Sequence, residues 1–294
     1  MRYFIPLMFI VTLISFSSCK HRQDTSQLNS KNFNFQDSLS EQEFDLNQVV
    51  YSVPSPHQLT MLVKEDYSYY EDDIFEKRID INEYSTSERK ALILGALCTD
   101  LGYLSLYDQR NLEIEYLNNI RQLVNFQKFN QYNSSELFKR IDDNLGNSDS
   151  ILMIMSQLMR KENEAIRNGE RPYLSTLIIA GGWIESFYII NTLYNNSKNS
   201  NLFGILLHQQ YALDNLIQLL RPYYKKSPEY TELINKLVEI AYEFEVVDVD
   251  YKNAPAHHSD STTTIRCKFT PVLTGSQLDK MYEYSRSLRR SIIY

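Results

Sequence analysis

The chain has 294 residues and a formal net charge of −7, a balance that disfavours nucleic acid or an anionic bilayer as a partner held by bulk charge. Glycine and proline are scarce at eight each, while tyrosine reaches 22. Few breakers and long periodic runs favour an all-α fold over a β-rich one.

The N-terminus reads MRYFIPLMFIVTLISFSS, residues Met1–Ser18. Arg2 gives a positive start, and Phe4 to Ile14 is almost wholly apolar. That is the pattern of a secretory signal peptide, too short for a stable spanning helix. Ser17 and Ser18 stand directly before Cys19. This arrangement resembles the bacterial lipoprotein signal, with Phe16 in place of the usual leucine, and implies lipidation of Cys19. An ordinary signal peptide with an incidental cysteine is the alternative. Acyl chains on Cys19 would hold the protein at a bilayer, each buried CH₂ contributing ~0.8 kcal/mol. Processing removes Arg2 and no other charged side chain.

Residues 19–48 read as a flexible tether, polar and without an apolar period. Lys20, His21 and Arg22 follow the cysteine, so no acidic run marks surface export. The expected location is the outer membrane, facing the periplasm. Residues 49–294 are expected to form a single helical domain.

Pro54 and Pro56 suit an extended approach and a first helical turn, with Leu59, Leu62 and Val63 on one face. Tyr67 to Ile81 is charged and tyrosine-rich and reads as a loop. Apolar residues at helical spacing then predict helices from Ser87 to about Tyr107, Leu112 to about Phe129, Ser134 to near Gly146 and Asp149 to about Gly169. Three more follow, from Pro172 to Asn196, Leu202 to Leu220 and Pro228 to Phe244. The period then falls to two at Val247, Val249 and Tyr251, and again from Thr262 to Phe269, predicting a β-hairpin with a long loop. A last helix runs from about Gln277 to Ile293.

Two of these helices look alike. LILGALCTDLGY from Leu92 aligns without a gap on LIIAGGWIESFY from Leu177. Leu92 matches Leu177, Asp100 matches Glu185, Tyr103 matches Tyr188, and Gly95-Ala96 falls on Ala180-Gly181. Two related helical halves and chance similarity between apolar helices are both open readings. In either case the small residues, Gly182 included, predict helix crossings at the centre of a multi-helix bundle.

Asp100 and Glu185 lie among apolar neighbours, and a buried carboxylate is costly unless paired. One reading is a structural network with Arg110, Arg121, Arg160, Arg167 or tyrosine hydroxyls as partners. The other is a ligand-binding cleft lined by Asp100, Tyr103, Tyr107, Trp183, Glu185 and Tyr188.

Other chemistry is thin. His257, His258, Asp248, Asp250 and Asp260 do not have the spacing of a metal site, so no metal or cofactor is expected. His208 stands alone. Ser186 sits in a helix, not a strand-to-helix elbow, so no serine nucleophile is indicated. Cys98 reads as a small buried hydrophobe, with a Cys98–Cys267 bridge as the alternative.

Taken in order, YSVPSPHQL, LGALCTDLGYLSLYDQ, LGNSDSIL, LIIAGGWIESFYI and the hairpin-plus-helix ending resemble lipoproteins of Bacteroidota to which no function is attached. The resemblance spans about Val49 to Ile292. It implies an envelope protein with a helical domain and brings no catalytic residues. Three function classes follow. The first is a lipid-anchored module binding a small ligand or an envelope protein. The second is a structural or assembly lipoprotein of a larger envelope complex, and the third an enzyme using Asp100 and Glu185.

Overall fold

A computed structural model describes residues 42–46, 49–53, 63–64, 67–75, 79–126, 134–147, 149–151, 153–157, 172–245, 248–258 and 263–293. Of 42–46, 49–53, 248–258 and 263–272 it describes the backbone alone. The expected signal peptide, Cys19 and most of the expected tether lie outside the described residues. So do most of the helix expected near Leu59, and Arg160 and Arg167. By its contacts the chain divides into a large unit, residues 34–251 with 269–294, and a small one, residues 1–33 with 252–268. Of the small unit only extended backbone within 252–268 is described.

The large unit is all-α in its described side-chain-bearing part. Its helices are α1 (Ser87–Leu106), α2 (Arg110–Phe126), α3 (Ser134–Asp142), α4 (Pro172–Ser197), α5 (Ser200–Leu220), α6 (Pro228–Glu245) and α7 (Gly275–Ile293). Residues 149–151 and 153–157 are also helical. Within the described residues the expected boundaries stand within a few residues because the capping signals are local. Thr86 accepts from the Arg89 N–H at 3.1 Å and caps α1, and Asn199 caps α5.

Two helices form the centre. From Ala91 to Leu106 every residue of α1 is buried, and α4 is buried almost throughout from Leu174 to Leu193. A helix apolar on all sides must be enclosed. Accordingly α1 packs on α4 and α2, and α4 packs also on α5 and α7, with α6 behind α5. The outer helices α2, α6 and α7 are amphipathic and turn their polar faces outward. Helix α4 is long and apolar enough to cross a membrane, yet 89% of that stretch is buried inside the protein. Enclosure within the bundle accounts for its apolarity.

The glycines answer to the α1–α4 crossing. A Cβ on Gly95 would lie 1.9 Å from the Ile178 carbonyl oxygen and 2.7 Å from the Gly182 nitrogen. A Cβ on Gly181 would lie 1.9 Å from the Leu92 carbonyl oxygen. The backbones touch where any side chain would intrude. Thr99 Oγ1 lies 3.2 Å from the carbonyl oxygens of both Gly95 and Gly182, and its hydroxyl bridges the two helices there.

Two segments differ from expectation. The stretch from Tyr67, expected as a loop, has short 3₁₀ turns at Asp72–Ile74 and Ile81–Glu83. It buries Tyr67, Ile74, Phe75, Ile81 and Tyr84 in the core. Its charges mask an apolar set too irregular for either period. Within the expected tether, Gln42–Leu46 (β1) pairs antiparallel with Val49–Val53 (β2), Leu46 opposite Val49. The short Phe44/Leu46 alternation is the local signal for this pairing. Before α7 the backbone runs extended at Asp248–His258 and Thr263–Val272. The hairpin expected there falls on residues outside the described side chains.

Candidate functional site

Asp100 and Glu185 each follow the crossing by about one turn, on α1 and α4 respectively. Both are 0% exposed. The Asp100 carboxyl abuts that of Glu185. Arg289, 4% exposed, enters from α7. Its Nε–H reaches both Glu185 oxygens, at 2.7 and 2.9 Å, and its guanidinium carbon lies 4.5 Å from the Tyr188 ring centroid. The last turn of α7 is tied down by Tyr84, whose hydroxyl donates to the Ile293 carbonyl at 2.8 Å. That tether fixes the depth at which Arg289 enters.

The electrostatics follow from burial. Desolvation pushes the Asp100 carboxyl well above the usual carboxylate range, the Glu185 charge pushes it further, and Arg289 opposes both. Desolvation alone would lower the Arg289 guanidinium, but Glu185 and Asp100 outweigh it and leave that group raised. Arg289 is therefore charged throughout the physiological range.

The tyrosines expected to line a cleft are turned to the segment that covers α1. The Tyr107 hydroxyl donates to the Tyr67 carbonyl at 2.5 Å, and that of Tyr188 to the Ile74 carbonyl at 3.3 Å. The Tyr103 hydroxyl accepts from the Glu71 N–H at 3.4 Å. Tyr103 and Tyr107 pack at 4.8 Å between centroids, with Tyr70 and Phe75 against them. Burial pushes the Tyr107 hydroxyl up to about 12, so it stays neutral and keeps donating. Trp183 stacks on Phe187 at 4.9 Å, and its indole N–H meets no partner among the described residues.

The six candidate residues thus separate. Asp100, Glu185 and Tyr188 converge on Arg289, Tyr103 and Tyr107 hold the 67–75 segment, and Trp183 belongs to the packing of α4. The two expected cationic partners that are described, Arg110 and Arg121, are engaged elsewhere, and Arg289 pairs with Glu185 instead. Arg121 pairs with Asp142, and Arg110 lies against Gly146, whose lack of a Cβ leaves room for the guanidinium. Arg289 looks like one of three surface arginines in SRSLRR. Its position can nevertheless be read from spacing, because Met281, Ser285, Leu288 and Ile292 form the buried stripe of α7 and 289 falls inside it. Tyr116 and Tyr70 also face the acids. No local pattern marks either of them.

Other candidates are quiet. The Ser186 hydroxyl donates to the Gly182 carbonyl at 2.8 Å, and burial holds the His208 imidazole toward its neutral form. Cys98 is buried in α1. His257, His258, Asp260 and Cys267 lie outside the described side chains. Among the described residues no three His, Cys, Asp or Glu side chains gather as a metal would need. Two surface hollows border the α5–α6 corner. One of about 610 Å³ is lined by Ile217, Arg221, Tyr224, Lys225, Ile234 and Val238 among others. Its neighbour, about 710 Å³, includes Lys226 and Lys236. None of the six candidate residues lines either hollow. No protein-family model, curated protein or solved structure matches the chain.

Proposed function

We propose that the chain is a lipid-anchored protein of a Bacteroidota cell envelope, held in the outer membrane and facing the periplasm, and that it works by binding a partner. One observation carries the location: an apolar leader, Phe4 to Ile14, ending in two serines before Cys19. The binding reading draws support from the interior. Glu185 is neutralised by Arg289, and the hydroxyls of Tyr103, Tyr107 and Tyr188 are spent on backbone, an arrangement suited to holding a fold rather than turning over a substrate. The partner then meets the outer surface. The hollow at the α5–α6 corner has an apolar floor and a basic rim, Arg221 and Lys225, on a chain of net charge −7. Finer points of the architecture belong to the same proposal. The matched helices α1 and α4 mark two related halves, meeting at their glycines. The extended segments at Asp248–His258 and Thr263–Val272 form a hairpin ahead of α7, a reading supported by the period of two at Val247, Val249 and Tyr251.

The test is native mass spectrometry of protein purified from its own host. A retained envelope protein supports the proposal. A retained small molecule would move the reading toward an internal ligand. Protein recovered alone after crosslinking in the host, with nothing bound, would refute it.

A further inference from the structure

We infer that Asp100 carries a proton at neutral pH and donates it to Glu185, so that Asp100, Glu185 and Arg289 form one neutral, proton-holding unit at the centre of the bundle. This inference is independent of the envelope reading. It begins from geometry. Both Glu185 oxygens already accept from Arg289. Neither Asp100 oxygen meets an N–H or O–H donor among the described residues, although the carboxyl abuts Glu185. Two ionised carboxylates in contact repel, and the same contact becomes a hydrogen bond when a proton stands between them.

Charge counting agrees. The groups facing the acids are Tyr116 from α2, Tyr70 from the 67–75 segment, Tyr188 from α4 and Arg289 from α7. Arg289 is the one cation among them. Two ionised acids would leave a net negative charge in a site without water contact, which is costly. One proton, taken from solvent as the chain folds, cancels it.

The pH dependence has a definite sign. In the unfolded chain Asp100 titrates near its ordinary 3.8, and in the folded chain above it. Below the unfolded value both states hold the proton and this group adds no slope. Above it the unfolded chain releases the proton that the folded chain keeps. Stability therefore falls as pH rises, until the folded group ionises too.

The test compares wild type with Asp100→Asn by infrared difference spectroscopy and by thermal melts at about pH 5 and about pH 9. Wild type should show a protonated carboxylic acid band at neutral pH that Asp100→Asn lacks. Burial also raises Glu113, and the difference spectrum cancels any band from that acid. The melting temperature of Asp100→Asn should fall less between the two pH values. If Asn at this position prevents folding, Glu185→Gln serves instead. Asp100 would then ionise to pair with Arg289, and the band should vanish. A wild type without the band, or a band that survives both substitutions, overturns the inference.

Discussion

Arg289 neutralises Glu185 from a helix more than a hundred residues further along the chain. Removing it strands two acids in a site that water does not reach. Arg289→Met should cost ~3–5 kcal/mol, the range for breaking a buried pair from one side, as read by urea unfolding. Glu185→Gln should cost clearly less, because Asp100 can give up its proton and become the counter-ion of Arg289. Equal losses in the two variants would show that Asp100 cannot take that part. Tyr188 adds a ring face beneath the guanidinium. Tyr188→Phe keeps that face and loses only the bond to the Ile74 carbonyl, so about 1 kcal/mol is expected.

At the scale of elements, the α1–α4 crossing decides which substitutions are tolerated. Alanine is a better helix former than glycine by ~1 kcal/mol. At Gly95 and Gly181 the new Cβ would strike backbone atoms, which cannot rotate away. Gly95→Ala and Gly181→Ala should therefore be destabilising, by the ~1–3 kcal/mol typical of overpacking. Gly204, inside α5, supplies the control, since a Cβ there meets nothing within 4 Å. Gly204→Ala should raise the melting temperature. Opposite signs at the two kinds of glycine, measured by thermal unfolding, are the expected result. A gain at Gly95 would mean that the helices do not meet there.

For the whole molecule, two properties are separable. The described body is helical, so circular dichroism of the mature protein should show a predominantly helical spectrum. The proposed anchorage would depend on one atom, the Cys19 sulfur. Cys19→Ser should leave the fold intact and release the protein from the membrane fraction, or leave the leader uncleaved. If the variant fractionates and migrates like wild type, lipid anchoring is wrong. Helix α4 lends no support to membrane association, because its apolar stretch is 89% buried inside the protein.

The all-α class and most helix boundaries were legible in the chain because they are local. Caps such as Thr86 and Asn199, and a 3.6-residue apolar period, act within a few residues. The shared interior of Asp100 and Glu185 is legible too, since each acid stands about one turn past the small residues of a helix crossing. The covering segment from Tyr67 was not legible, since its burial comes from single residues, Ile74 and Phe75, with no period to announce them. The cation was misplaced for a related reason. Spacing places Arg289 on the buried stripe of α7, but nothing within α7 says that a carboxylate waits across the interface. Its neighbours Arg286 and Arg290 have the same chemistry, and Arg286 lies in reach of Glu283 on the surface of α7. Only the packing of α7 against α4 chose Arg289, because a guanidinium can be buried only where an acid already lies unpaired.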